Sequence, residues 1–173
     1  MENDFLKLDI CEFDIAAAKR ITDDFDRQKV HNKFDCCNNW IGVLGEIVLN
    51  RFFETNNIDH KWIIFLKKDY TSPDFIVNGI KIDMKTTFDN KLWLQTPTND
   101  LYLLARVDKD LKNIFLLGYI TKQEIENLIS KNKAGIRKRS NGIDHYIKLN
   151  DLRPAKNFLK YLNANETLLI PKS

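Results

Sequence analysis

Stretches of helical period and stretches of strict alternation succeed one another along the chain, and they predict most of its elements. Residues 15–29 read as a helix opening on Ala16-Ala17-Ala18. Asn38-Asn39 caps a second helix running to about residue 54, in which Trp40, Val43/Leu44, Ile47/Val48 and Phe52 recur at helical spacing. Residues 62–66 predict a buried strand, 73–87 a hairpin, and 91–95 a further strand stopped before Pro97. Residues 101–107 and 114–120 are nearly continuous in apolar side chains, which predicts central strands. Thr121-Lys-Gln-Glu124 is a capping-box pattern heading a helix to about residue 131. Residues 146–149 predict a short strand, and Pro154 the first turn of a last helix with Phe158, Leu159 and Leu162 inward. Helices, then a strand-rich middle, then helix, strand and helix imply an α/β fold. Its expected form is a mixed central β-sheet flanked by helices, in a single domain over residues 1–173.

The hairpin can be read residue by residue. Asn78-Gly79 between alternating apolar residues predicts a type I′ turn, whose two positions both need φ > 0. The register then pairs Val77 with Ile80, Ile76 with Lys81, Phe75 with Ile82, and Asp74 with Asp83. The last pair is expected to be a non-hydrogen-bonded one, with Cα atoms roughly 4.5 Å apart. Phe75, Val77, Ile80, Ile82 and Met84 share an apolar face. Asp74, Ile76, Lys81, Asp83 and Lys85 share the other, Lys85 lying about 7 Å beyond Asp83 along the strand. Two like charges directly opposite destabilise a ladder. A divalent cation held by both carboxylates is the simplest offset, the alternative being a solvated face whose charges partly cancel.

Composition adds limits. The chain has 173 residues, 43% hydrophobic and 29% charged, as expected of a soluble globular protein. No apolar run reaches a membrane span, and Met1-Glu-Asn-Asp-Phe5 lacks the features of a signal peptide. Cys11, Cys36 and Cys37 fit no zinc spacing and suit a reducing compartment, so a cytoplasmic location and no membrane partner are expected. The net charge is only +3, but its distribution is uneven. Residues 1–35 carry nine acidic and six basic side chains, residues 131–173 ten basic and three acidic. The densest tract, residues 131–139, is either a solvated flexible loop or a contact for a phosphate backbone through Arg137, Lys138 and Arg139.

Gly42-Val-Leu-Gly-Glu46 lies inside the second helix, where two glycines cost roughly 1 kcal/mol each against alanine. Small residues there let the helix approach another backbone and bring Glu46 toward it; simple packing with Glu46 in solvent is the alternative. His31, His60 and His145 have no partner at metal-ligand spacing. Trp40, Trp62 and Trp93 fall on apolar positions and read as core, and Thr86 and Thr87 as β-branched strand residues.

Pro73-Asp74, eight residues, then Asp83-Met84-Lys85 on a hairpin, with Glu46 in Gly-x-x-Gly-Glu on the preceding helix, resembles the PD-(D/E)xK nuclease superfamily. That superfamily includes restriction endonucleases, resolvases and repair nucleases, and the resemblance covers residues 40–87. It implies a restriction endonuclease-like core and metal-dependent hydrolysis of phosphodiester bonds in DNA, with Glu46, Asp74, Asp83 and Lys85 catalytic. Asp74, Asp83 and the Met84 carbonyl would hold Mg²⁺, for which Mn²⁺ could substitute, and Glu46 a second ion or a water of the shell. Lys85 would place the attacking water or steady developing charge. Some members carry a functional Gln-x-x-x-Tyr, but Asn99 stands at the tyrosine position here, so Gln95 reads as structural. The alternatives are an inactive nucleic-acid-binding protein on this fold, a structure-selective resolvase, an RNA-directed nuclease, or an interaction protein with a solvated hairpin face. A two-strand cut by one site per chain would call for a homodimer.

Overall fold

The computed structural model describes residues 4–27, 39–64, 72–139 and 142–166. Their order is β1 (Leu6–Asp9), α1 (Glu12–Arg27), α2 (Asn39–Thr55), β2 (His60–Trp62), β3 (Phe75–Val77), β4 (Ile80–Thr87), β5 (Lys91–Leu94), β6 (Leu101–Val107), β7 (Asn113–Thr121), α3 (Lys122–Ser130), β8 (Gly135–Arg139), β9 (Gly142–Lys148), β10 (Arg153–Pro154) and α4 (Phe158–Glu166). The larger sheet runs β1-β7-β6-β4-β3-β2 with β10 beside β7, and a smaller one runs β5-β9-β8. Among the described strands only β4 and β6 pair in parallel, because the chain leaves β4 for β5 in the other sheet and returns as β6. The fold is mixed α/β.

Both faces of the larger sheet are covered, which is why its central strands are apolar nearly throughout. In β6, Leu101, Leu103, Ala105 and Val107 join a core with Ala18 of α1, Leu44, Val48 and Phe53 of α2, and Phe158 and Leu162 of α4. Tyr102 and Leu104 of the same strand join a second core with Leu92 and Leu94 of β5, Ile147 of β9 and Ile125 of α3. The smaller sheet and α3 therefore back the opposite face.

β6, β7 and α3 lie where the periodicity places them, and the α3 capping box is complete. Thr121 N–H donates to Glu124 Oε2 at 2.9 Å, and Glu124 N–H to Thr121 Oγ1 at 3.3 Å. Glu124 also holds Arg153 at 2.8 Å, with Tyr119 and Tyr161 against the guanidinium. Burial presses the Glu124 carboxyl upward, but hydrogen bonds from Thr121 and Arg153 outweigh it and leave it below its ordinary value.

Other expectations need correction. α1 starts at Glu12 rather than residue 15, since Asp14 accepts the Cys11 N–H at 2.8 Å and ties to Arg51 of α2 at 2.8 Å. Its expected last two residues, 28 and 29, lie outside the described residues. The strand expected at 62–66 is β2 at His60–Trp62, followed by buried Ile63 and Ile64; residues 65 and 66 also lie outside. Pro154 sits not in α4 but in β10 opposite Gly118, a short flanking pairing where a missing N–H is tolerated. β1 was not anticipated, being four residues long. In the basic tract at 131–139, for which a flexible loop was one reading, residues 135–139 form strand β8, paired with β9. Among the described residues no helix is long and apolar enough to cross a membrane.

Candidate active site

The hairpin forms on the expected turn, with φ of 49° at Asn78 and 76° at Gly79. Its register is Phe75↔Ile82, Ile76↔Lys81 and Val77↔Ile80. There the ladder ends: β3 stops at Phe75, and the expected cross-strand pair of Asp74 with Asp83 is not part of it. The Asp74 N–H instead donates to Ile82 O at 2.9 Å, and Asp74 Oδ2 accepts the Met84 N–H at 2.6 Å. A carboxylate oxygen thus stands where the next ladder carbonyl was expected, so two like charges need not stack as a strand pair. Past this point no described strand pairs with β4 on its β3 side, while β6 continues to pair its other edge through Thr87. The cleft lies along that stretch of β4, with Met84, Lys85, Thr86 and Thr87 in its lining.

α2 brings the third acid. A Cβ on Gly45 would lie 1.8 Å from Thr86 Oγ1, so only glycine lets the helix sit this close to β4. Gly42, one turn earlier, has open space and borders the cleft. Glu46 is turned inward, 6% exposed, and accepts the Trp62 indole N–H at 3.0 Å. Trp62 in turn stacks on Phe75, ring planes 12° apart. The solvent-facing alternative for Glu46 is therefore excluded.

Asp74 and Asp83 are equally buried, each 6% exposed. Asp83 Oδ1 lies 2.5 Å from Lys85 Nζ, and Asn99 Nδ2 reaches Asp83 Oδ2 at 3.4 Å. Glu46, Asp74 and Lys85 line a cleft of about 360 Å³ with Met84, Thr86, Thr87, Lys91 and Trp93. The side chain of Met84 belongs to the core. The donor set is carboxylate oxygen, the hard kind that suits Mg²⁺ or Mn²⁺. Among the described residues no three His, Cys, Asp or Glu side chains form a ready metal cluster. Mg²⁺ commonly takes only one or two carboxylates and keeps its waters, so the residues present fit it.

The basic tract is organised rather than loose. Arg137 bonds Asp144 at 2.6 Å and lies 4.0 Å over the Trp93 ring, so it is held within the fold as well as half exposed. Lys138 is exposed. Arg139 ends β8 opposite Gly142. Trp93 corrects the core assignment, because it is half-buried and borders the cleft. Trp40 is half-buried beneath Lys19, and Trp62 serves Glu46. His60 bonds Ile58 O and Asn50, Gln95 is exposed outside the cleft lining, and His31 lies outside the described residues.

Sequence reasoning passed over Trp62, Asn99, Lys91 and Thr86. Lys91 and Trp93 had a usable signal, since they alternate with buried Leu92 and Leu94. Thr86 had none: its hydroxyl is buried without a hydrogen-bond partner at the α2 contact, a fact of tertiary packing. No family model, curated protein or solved structure matches this chain.

Proposed function

We propose that the protein is a metal-dependent nuclease that hydrolyses phosphodiester bonds in DNA, built on a restriction endonuclease-like core of α2, the β3–β4 hairpin, β6 and β7. The observation that carries this reading is that two buried acids, Glu46 and Asp74, line one cleft with Lys85 and Lys91, while buried Asp83 contacts Lys85. Burying carboxylates is costly unless each has a donor or a charge partner, and a purely structural strand would gain nothing from collecting them.

Asp74 and Asp83 would hold Mg²⁺, with Glu46 at its border. When bound, the ion supplies charge neutralisation and Lewis acidity at the scissile phosphate. The chain's own groups do the rest. Trp62 fixes one oxygen of Glu46, leaving the carboxylate oriented at the cleft wall. Lys85 Nζ, held at Asp83, donates to phosphate oxygen as negative charge builds in the transition state. A water oxygen bonds to phosphorus as that water gives up a proton to solvent, the phosphorus–oxygen bond to the leaving sugar breaks, and that sugar oxygen takes up a proton from solvent.

Purified protein incubated with supercoiled plasmid, linear duplex, branched DNA and RNA, with Mg²⁺ or Mn²⁺, tests the reading and separates endonuclease, resolvase and RNA-directed forms of it. Cleavage of DNA that needs the metal supports it. A second reading, binding without cutting, is favoured by the Lys85–Asp83 contact, in which the two groups satisfy one another. Metal-independent binding with every substrate left intact would select it.

A further inference from the structure

We infer that the cleft-side face of the smaller sheet is a binding platform for single-stranded nucleic acid, holding the strand that leads into or out of the cleft. The inference rests on the nuclease reading for its direction, but its evidence is separate.

Alternation and register put Lys91 and Trp93 of β5 beside Lys148 and Tyr146 of β9, and Tyr146 and Asp144 beside Gly135 and Arg137 of β8. The opposite face is the apolar one, with Leu92, Leu94 and Ile147 in the second core. Two of the platform residues, Lys91 and Trp93, already line the cleft, so the face continues from it.

Its construction is specific. A Cβ at Gly135 would lie 1.8 Å from the Tyr146 ring, so the missing side chain makes room for that ring against β8. Trp93 and Tyr146 are 5.0 Å apart at 52°. Lys91 Nζ lies 5.5 Å over Tyr146, and the Arg137 guanidinium 4.0 Å over Trp93. Asp144, nearly fully buried, anchors Arg137 from below. Phe88, half exposed, stands in the turn between cleft-lining Thr87 and Lys91.

Cations set among aromatic planes beside an acidic cleft complement a polyanion that offers phosphates and open base faces together. A duplex offers the phosphates but keeps its bases stacked inside, and would leave the rings without a role. Single strands meet both halves of the surface: phosphates at Lys91, Lys148 and Arg137, bases on Tyr146, Phe88 and the guanidinium plane.

The test is fluorescence anisotropy of the full chain with labelled oligodeoxynucleotide, the matching oligoribonucleotide and a blunt duplex of the same length, in chelator so that no cutting intervenes. The expected result is single strands bound at least tenfold more tightly than duplex, with about a tenfold loss in Tyr146→Leu and in Phe88→Ala. Phe88 is exposed on a turn, so its variant folds even where Tyr146→Leu does not, and thermal melting reports which. The two single-stranded arms assign the sugar. Equal or tighter binding of duplex, or wild-type affinity in a folded Phe88→Ala and Tyr146→Leu, would overturn the platform. Because no step depends on catalysis, that result leaves the nuclease reading standing, and a catalytically silent protein that prefers single strands leaves the platform standing.

Discussion

The β3–β4 hairpin and the smaller sheet, whose strand β5 borders the same cleft, handle charge in opposite ways. In the first, Asp74 and Asp83 are nearly inaccessible and tied down by the Met84 N–H, Lys85 and Asn99. In the second, Lys91, Lys148 and Arg137 keep their charges at the surface, Lys91 and Arg137 resting on aromatic rings. Buried acids hold fixed positions but repel a phosphate; exposed cations attract one but fix little. The contrast divides the labour proposed for the site: the basic sheet captures the chain, and the acidic hairpin receives it only once a cation neutralises the carboxylates. Binding should therefore survive metal removal and cutting should not.

The largest effect expected is at the acidic side. Asp74→Asn or Asp83→Asn should lower metal-dependent cleavage by about a thousandfold or more, while chelator-state binding holds or improves as a repulsive charge disappears. Loss of binding in step with cleavage would erase the distinction between the two regions.

Gly45→Val should come next. Its side chain meets Thr86 at the closest helix–strand approach, so urea unfolding should show a loss of about 1–3 kcal/mol. Displacing α2 also moves Glu46, and cleavage should fall further than stability alone explains. Trp62→Phe keeps a ring on Phe75 but removes the donor to Glu46. It should cost about 1–2 kcal/mol in denaturant unfolding and raise the Mg²⁺ concentration needed for half-maximal cleavage.

The smallest effect sits remote from both regions and calibrates them. Glu124 has a folded pKa below its ordinary value of 4.5, so the stability it contributes is present above that value and lost as pH falls through the depressed one. Glu124→Gln should flatten the acid limb of a stability–pH profile and leave cleavage at neutral pH unchanged. A cleavage defect there would mean that the cap of α3 reaches the cleft.

What the sequence made legible follows the range of the forces involved. Asn78-Gly79 dictates its own turn, and Thr121 with Glu124 its own cap, so both could be read from neighbours in the chain. The apolar runs of β6 and β7 announce strands covered on both faces. The end of the ladder at Phe75 could not be read, because it turns on a side chain competing with a backbone carbonyl for one N–H. Residues 135–139 look like a solvated loop because the partners that make them a strand, Asp144 and Trp93, come from elsewhere. Glu46 carried a local clue in Gly45, while its donor Trp62, sixteen residues away, carried none.

Single-turnover cleavage of DNA by wild type, Asp83→Asn and Lys85→Ala across a Mg²⁺ titration tests the central claim most directly. The account predicts cutting that rises with Mg²⁺ in the wild type and is lost in both variants, with metal-free binding retained in all three. Cleavage that persists in both variants, or that proceeds in chelator, would contradict it.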